Sequence, residues 1–184
     1  MRSIEEAFLA RVVQKEVDSR ASGIYNMTEA ERRKHFFARG YLLQVKKYYG
    51  IRSIYYPGCT GETILESAFD KDEIFYLDKV IKRNDNTGTS VVGDMLAPPF
   101  PENTFDAAYV QDLHLHEEGR EHSPQERLDA ILSMVKDDGI IIYGKRGACP
   151  IWTKELPFLR KQDSVLTEVR LPFAHEEFAI FQRI

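Results

Sequence analysis

Cysteine and long apolar runs are scarce in this sequence of 184 residues. Its two cysteines, Cys59 and Cys149, are fewer than a small secreted domain held by disulfides would carry. No apolar run approaches the ~20 residues that a membrane-spanning helix needs. The first twenty residues include the charged Arg2, Glu5 and Arg11, unlike the apolar core of a signal peptide. We therefore expect a cytoplasmic protein with no membrane segment.

An excess of positive charge is also missing. Lys and Arg number 25 against 29 Asp and Glu, for a formal net charge of −4, which disfavours broad non-specific nucleic-acid binding. Hydrophobic residues make up 43% of the chain, so a disordered or fibrous protein is excluded. The stretch from Thr28 to Arg52 is an exception, because it is basic and rich in aromatic residues. An RNA contact is one hypothesis for it, but the solvated face of an amphipathic helix is the favoured interpretation.

The first fifty residues are predicted to be helical. Ser3 and Thr28 are each followed three positions later by Glu, which is the spacing of a capping box. We expect one helix over residues 4–18 and a second one from Thr28 onward. The sequence thus predicts a helical extension over residues 1–50, followed by an α/β domain over residues 51–184. Helical spacing alone leaves open whether the extension packs on its own domain or on a second subunit.

Short apolar runs alternate with helical segments in the α/β domain. The predicted strands are Ile51–Tyr56, Ile74–Leu77, Ser90–Val92, Phe105–Val110, Ile140–Tyr143, Val165–Val169 and Phe178–Phe181. The predicted helices cover residues 62–69, run from the cap Ser123 to a stop at Asp138-Gly139, and cover residues 151–161 with a break at Pro157. This alternation predicts a parallel sheet with helices on both faces. The last two strands lie so close in sequence that they should be antiparallel to each other.

Ligands of open α/β sheets bind beyond the carboxyl ends of the strands, so the residues that follow each strand are candidates for a site. Gly58 and Gly61 follow the first strand, where glycine lets the backbone approach a ligand closely. Three-glycine dinucleotide and Walker A motifs are both absent. Asp78, twenty positions after Gly58, could bind ribose hydroxyls, and Asp94 ends the third strand. A plain tight turn and solvated loop acids are the alternative interpretations.

The densest polar cluster runs from Gln111 to Glu118. In an extended chain, Asp112, His114 and His116 would share one face. Imidazoles suit zinc or iron, but a metal needs further ligands, so the favoured interpretation has no metal. A His or Asp would instead act as a general base at the mouth of an active site. The alternative is a polar loop with one histidine packed against the sheet.

Two longer stretches carry a family resemblance. GDMLAPPFPENTFDAAYV (Gly93–Val110) has an acid after the third strand and Phe-Asp opening the fourth, and RLDAILSMVKDDGIIIYG (Arg127–Gly144) has a helix, a Lys-x-x-Gly turn and the fifth strand. With these stretches, the chain from about Ile51 to Ile184 resembles the class I S-adenosylmethionine-dependent methyltransferases. The resemblance implies a Rossmann-like three-layer α/β/α sandwich. Its sheet would be mostly parallel and seven-stranded, with an antiparallel C-terminal strand, and N-terminal helices would precede it.

The resemblance also implies S-adenosylmethionine as the cofactor. The residues that would bind it are Tyr56, Pro57, Gly58, Gly61, Asp78, Asp94, Met95 and Gln111. In this arrangement the two glycines line the methionine moiety, and Asp78 binds the ribose hydroxyls. Asp94 and Met95 flank the adenine, and Gln111 faces the transferred methyl group. The Asp and the two His of the polar cluster are the candidates for a base, if the unidentified methyl acceptor has a proton to lose.

Two features depart from the family pattern. Tyr55-Tyr56-Pro57 occupies the end of the first strand, where the family usually has an acid, and the turn that follows is about one residue short and has two glycines instead of three. Only eleven residues separate Asp78 from Ser90, so the usual helix between them is shortened or lost. Three hypotheses remain: methyl transfer, a non-catalytic member of the same fold that serves as a binding or structural subunit, and a nicotinamide- or metal-dependent enzyme. Methyl transfer is the favoured one.

Overall fold

The computed structural model describes residues 29–58, 64–79, 89–111, 115, 122–144, 151–172 and 178–184. The α-helices in these ranges are α1 (Glu29–Tyr49), α2 (Pro124–Met134) and α3 (Ile151–Arg160). A 3₁₀ helix covers Ile64–Ser67. The strands are β1 (Ile54–Pro57), β2 (Ile74–Asp78), β3 (Thr89–Val92), β4 (Phe105–Val110), β5 (Val135–Gly144), β6 (Leu166–Val169) and β7 (Phe178–Arg183).

The strands form one sheet in the order β3-β2-β1-β4-β5-β7-β6. Strand β1 is parallel to both β2 and β4, whereas β7 is antiparallel to its neighbours β5 and β6. The predicted fold is therefore confirmed, with a mostly parallel seven-stranded sheet and an antiparallel C-terminal strand. The strand order reverses between β1 and β4. The carboxyl ends of these two strands thus form the topological switch point, where sheets of this kind bind ligands.

Both faces of the sheet are buried, because alternate residues of each strand point to opposite sides. On one face, the core includes Leu42 and Val45 of α1. On the other face, it includes Leu128 of α2 and Leu159 of α3. Helix α1 thus packs on the sheet of its own chain. The helix predicted over residues 4–18 lies outside the described residues, and the boundary between the extension and the α/β domain stays a prediction.

Helix α2 begins as predicted but ends earlier. The Ser123 hydroxyl accepts a hydrogen bond from the Glu126 N–H, and the Glu126 carboxylate accepts one from the Ser123 N–H, which completes the predicted capping box. The stop predicted at Asp138-Gly139 was wrong, because the helix ends at Met134 and β5 begins at Val135.

A bulge over residues 136–139 of β5 explains this difference. The two parts of β5 on either side of it pair with β4 in shifted register. Arg183 of β7 donates hydrogen bonds to the carbonyl oxygens of Leu132 (3.0 Å) and Val135 (2.5 Å). The last carbonyls of a helix need such partners. Here the partner comes from the C-terminal strand, so no local sequence pattern could reveal where the helix ends.

Two further segments differ from the sequence-based expectation. The helix predicted over residues 62–69 is a 3₁₀ helix at Ile64–Ser67. Helix α3 continues through Pro157, although a proline in a helix interior costs about 3 kcal/mol. Glu155 and Leu159 on the same helix are both buried. The contacts that bury them favour the helix over the break that the proline alone predicts.

Asp106, near the start of β4, contacts both the segment that precedes β1 and the first residues of β5. Its Oδ2 accepts hydrogen bonds from the N–H groups of Arg52 (2.8 Å) and Ser53 (3.0 Å), and Lys136 Nζ lies 2.6 Å from Oδ1. Burial by itself would raise the pKa of this carboxyl. Lys136 and the two N–H groups outweigh burial and hold the pKa of Asp106 below its ordinary value.

We expect Asp106→Ala to lower the free energy of unfolding by about 2 kcal/mol at pH 7, because charge-assisted hydrogen bonds are lost. The folded-state pKa lies below the unfolded value of 3.8. The stabilisation is therefore fully present above that value and is lost as the pH falls through the folded-state pKa. Urea unfolding of both proteins between pH 7 and pH 3 measures this. Asp163→Ala, at an exposed aspartate, is the control. A difference that stays constant down to pH 3 would contradict the role of the charged carboxylate.

Candidate functional site

Gly58 follows β1 at the switch point and adopts a backbone conformation that favours glycine. Its φ is 68°, in the left-handed region. Its N–H donates a hydrogen bond to the Leu77 carbonyl at 2.8 Å, which continues the β1–β2 ladder beyond Pro57. Gly58 is therefore a turn residue directly after the end of the ladder. Gly61, the second predicted glycine, lies outside the described residues.

Asp78 and Asp94 follow the next two strands at the same edge of the sheet. Asp78 ends β2, and its carbonyl accepts a hydrogen bond from the Gly93 N–H at 3.0 Å. The Asp94 carboxylate accepts one from the Leu96 N–H at 3.1 Å and lies 3.1 Å from Lys79 Nζ. The hydrogen bond from Leu96 and then the one from Lys79 lower the pKa of Asp94. Both predicted acids therefore lie beside each other, as parallel strands require.

An aromatic cluster lies next to these acids. Tyr55 of β1 stacks on Phe105 at a centroid distance of 5.3 Å, and Phe100 meets both rings edge-on. Met95 is half-buried against the same cluster. Burial raises the pKa of Tyr55, and the nearby Asp94 charge adds to this shift. The stacked rings of Tyr55 and Phe105 are fully buried, so Phe100 and Met95, which are only partly buried, are the members of the cluster that a ligand beside the two carboxylates could contact.

Gln111 directly follows β4, and two tyrosine hydroxyls converge on it. Tyr56 Oη and Tyr109 Oη each lie 3.4 Å from Gln111 Oε1. The two rings meet edge-on at 5.1 Å, and both are buried. Gly144 allows this arrangement, since a Cβ atom there would lie 2.2 Å from Tyr109 Oη. The polar end of Gln111 is thus fixed at the switch point.

Sequence comparisons identify no relative of this chain, since no family model and no curated protein matches it. Solved structures do match. A Burkholderia thailandensis 1,6-didemethyltoxoflavin-N1-methyltransferase, solved with its substrate and S-adenosylhomocysteine, is 12% identical, with a TM-score of 0.51 over 100% of this chain and 91% of its own. An Aquifex aeolicus S-adenosylmethionine-dependent methyltransferase is 16% identical, with a TM-score of 0.51 over 77% of this chain and 88% of its own.

A third structure contains two proteins. It is a complex between the Haloferax volcanii Trm112 methyltransferase activator and a protein assigned as a methyltransferase, with 11% identity and a TM-score of 0.52 over 100% of this chain and 98% of the matched chain. The observed strand order and these structural matches indicate the same fold. The chain has the class I methyltransferase fold. At such low identity the likeness establishes the fold and not the reaction.

The methyltransferase fold brings most of the predicted cofactor residues to one edge of the sheet. Those within the described residues are Tyr56, Pro57, Gly58, Asp78, Asp94, Met95 and Gln111. The predicted catalytic residues Asp112, His114 and His116 lie outside the described residues, and their role stays a prediction. Within the ranges that the structure describes, no group of three or more His, Cys, Asp or Glu residues could hold a metal ion.

The sequence analysis missed two polar groups on this fold. One is Tyr109, which donates a hydrogen bond to Gln111. From the sequence, their i, i+2 spacing at the end of a strand indicated only that the two side chains share a face. The other is the fully buried Glu155 of α3. Its carboxylate accepts hydrogen bonds from the Leu115 N–H at 2.5 Å and from the Tyr143 hydroxyl. A Glu one helical turn before the apolar Leu159 was the available signal.

The basic, aromatic stretch of the sequence forms α1 and the connection from α1 toward β1. Tyr41 stacks on Phe178, and Lys46 pairs with Glu73 at 2.5 Å, so Tyr41 and Lys46 make contacts that stabilise the fold. Phe37 and Tyr48 are exposed. The RNA hypothesis for this stretch stays a prediction.

No described helix combines the length and apolar character that crossing a bilayer requires.

Proposed function

We propose that the protein binds S-adenosylmethionine at the carboxyl edge of β1 to β4 and transfers its methyl group to an acceptor. One observation carries the proposal: a glycine with positive φ follows β1 at the switch point, and carboxylates follow β2 and β3 at the same edge. A turn of this kind lets the backbone approach a ligand, and the acids supply acceptors for its hydroxyls. The fold shared with known methyltransferases supports the same conclusion.

The residues present fit the cofactor at its nucleoside end. Asp78 is partly exposed at the end of β2, where it would accept hydrogen bonds from the two ribose hydroxyls. Met95 and Phe100 would contact the adenine ring, and Asp94 would accept a hydrogen bond from its amino group. Gly58 and Gly61, with Tyr56 and Pro57, would line the methionine end. Here the tyrosine replaces an acid, and its hydroxyl points toward Gln111.

When bound, S-adenosylmethionine supplies an electrophilic methyl group on a sulfonium leaving group. The protein's task is then to hold the acceptor in line with the methyl carbon and the sulfur. Gln111 directly follows β4 at the switch point, so we propose that it faces the reacting groups. Asp112, His114 and His116 follow it in the chain and are our candidates for a base, which is needed only if the acceptor must lose a proton.

A partner-binding subunit without catalysis is the second candidate function. The Asp94 carboxylate already accepts a hydrogen bond from the Leu96 N–H and pairs with Lys79, so fewer of its lone pairs are available to a cofactor. The Haloferax volcanii protein of the same fold was solved in complex with an activator. By analogy, we propose that this chain also has a protein partner, whichever of the two functions holds.

Calorimetric titration distinguishes the two functions. We expect the purified protein to bind S-adenosylmethionine and S-adenosylhomocysteine with micromolar affinity and to show no heat with NADH. Cooperative thermal unfolding of the same sample shows that it is folded. A folded protein that binds none of the three would reject the methyltransferase and favour the subunit. Binding of NADH alone would reject both.

We expect Asp78→Ala to weaken the binding of S-adenosylhomocysteine about a hundredfold. The carboxylate would lose two charge-assisted hydrogen bonds to the ribose, worth roughly 3 kcal/mol together. Asp72→Ala is the matched control, because Asp72 is an exposed aspartate just before β2, at the opposite edge of the sheet. Equal affinities for the two variants would contradict the ribose contact, even if the wild-type protein binds the cofactor.

A further inference from the structure

The side chain of Gln111 is oriented by two phenols. Its Oε1 accepts hydrogen bonds from Tyr56 Oη and Tyr109 Oη, each at 3.4 Å. An amide oxygen has two lone pairs. Both directions in which this oxygen could accept a hydrogen bond are therefore taken by the protein itself.

The two tyrosines have little freedom to turn away. Both are buried, and their rings contact each other edge-on. Tyr56 also contacts the ring of Tyr76 at 5.9 Å, and the Tyr109 ring lies against the bare Cα of Gly144. Rigid neighbours of this kind hold the amide group in place, and in the structure its oxygen faces the two hydroxyls. The amide nitrogen must then point away from the tyrosines.

The nitrogen of Gln111 is thus the end of the side chain that faces a ligand. Gln111 is partly exposed, and none of the residues that the structure describes accepts a hydrogen bond from its Nε2. An amide nitrogen carries two N–H donors and accepts nothing. A ligand group that displaces water from this position must offer lone pairs, because an unpaired N–H in a closed site is unfavourable.

We infer that Gln111 donates a hydrogen bond to a carbonyl or carboxylate oxygen of the methyl acceptor, beside the atom that receives the methyl group. This inference rests on the proposed function. A protonated amine at this position would set N–H against N–H and is disfavoured. Methyl transfer itself joins a lone pair of the acceptor to the methyl carbon, while the electrons of the broken carbon–sulfur bond stay on sulfur. Gln111 takes part in neither bond and only positions the acceptor.

Three probes that share a phenyl ring test the inference. Benzoate and acetophenone present only lone pairs, and benzylammonium presents only N–H donors. Their affinities for the protein saturated with S-adenosylhomocysteine are measured by saturation-transfer NMR. We expect both oxygen probes to bind at least about tenfold more tightly than benzylammonium, as one hydrogen bond implies. Absence of a preference, or the opposite preference, would overturn the inference.

A substitution at Gln111 sharpens the test. Gln111→Glu keeps an oxygen for the two tyrosines but replaces the donor with an acceptor, so the preference should reverse toward benzylammonium. Gln125→Glu is the matched control: it adds the same charge at an exposed site on α2, where the Gln125 amide donates to Asp129, and should leave the preference unchanged. An unchanged preference in Gln111→Glu would overturn the inference.

The proposed function and the inferred role of Gln111 can fail separately. If the wild-type protein does not bind S-adenosylhomocysteine in the calorimeter, the proposed function fails and the inference fails with it. If the cofactor product binds but the probes show no preference for oxygen, only the assignment of the acceptor's chemistry fails.

Discussion

Gly144→Ala should destabilise the protein severely, by about 3 kcal/mol or more, because it overpacks a fully buried position. The added Cβ would lie 2.2 Å from Tyr109 Oη and 2.7 Å from Tyr109 Cζ. The tyrosine cannot move aside easily, since it is buried between strands and meets the Tyr56 ring edge-on. Urea unfolding monitored by circular dichroism gives the free energy of unfolding.

Two further variants separate this clash from other effects. Gly50→Ala adds a Cβ with nothing within 4 Å, but at a φ of 65°, so it should cost only about 1 kcal/mol, through backbone strain. In a Tyr109→Phe background the atom nearest to the new Cβ is gone, so Gly144→Ala should cost less than in the wild type. If Gly144→Ala costs no more than Gly50→Ala, the steric explanation is wrong.

The central strands could be predicted because their residues are buried on both faces of the sheet. Phe105–Val110 is an uninterrupted apolar run apart from Asp106, and the predicted bounds of this strand match the structure. The end of α2 could not be predicted in the same way. It depends on Arg183, which binds the last carbonyls of the helix from the final strand of the sheet. Periodicity reports local burial, whereas a helix end that is capped by a distant side chain has no local signature.

The same limit applies to the candidate site. Parallel strands end at one edge of the sheet, so the positions of Gly58, Asp78 and Asp94 followed from the strand assignments. The sequence could not show that Lys79 reaches Asp94, because two residues that follow different strands meet only when the strands pair. Nor could it show that Tyr56 and Tyr109 converge on one amide oxygen. Strand order predicts where a site lies, but its hydrogen bonds depend on cross-strand geometry.

Glu155 is a carboxylic acid in the described core, where burial requires hydrogen-bond donors for its oxygens. It is fully buried, and a buried carboxylate is tolerated only when its oxygens are hydrogen-bonded. The Leu115 N–H donates to Oε1 at 2.5 Å and the Tyr143 hydroxyl donates to Oε2. Three separate parts of the chain meet at this carboxylate: helix α3, the end of β5, and Leu115 from the connection that follows β4. Removal of the carboxylate would take away the acceptor of two buried donors, the Leu115 N–H and the Tyr143 hydroxyl.

We therefore expect Glu155→Leu to lower the free energy of unfolding by about 4 kcal/mol, since each buried donor that loses its acceptor costs roughly 1–3 kcal/mol. Glu155→Gln should cost about 1 kcal/mol. Its amide oxygen can still accept from the Leu115 N–H, and the Tyr143 hydroxyl can rotate and accept from the new N–H. Chemical unfolding of both variants and of Tyr143→Phe measures these differences. A pure packing role would give the opposite order, because leucine would then stabilise this apolar position more than glutamine. A smaller loss for Glu155→Leu than for Glu155→Gln would therefore show that the carboxylate is not what holds the three segments together.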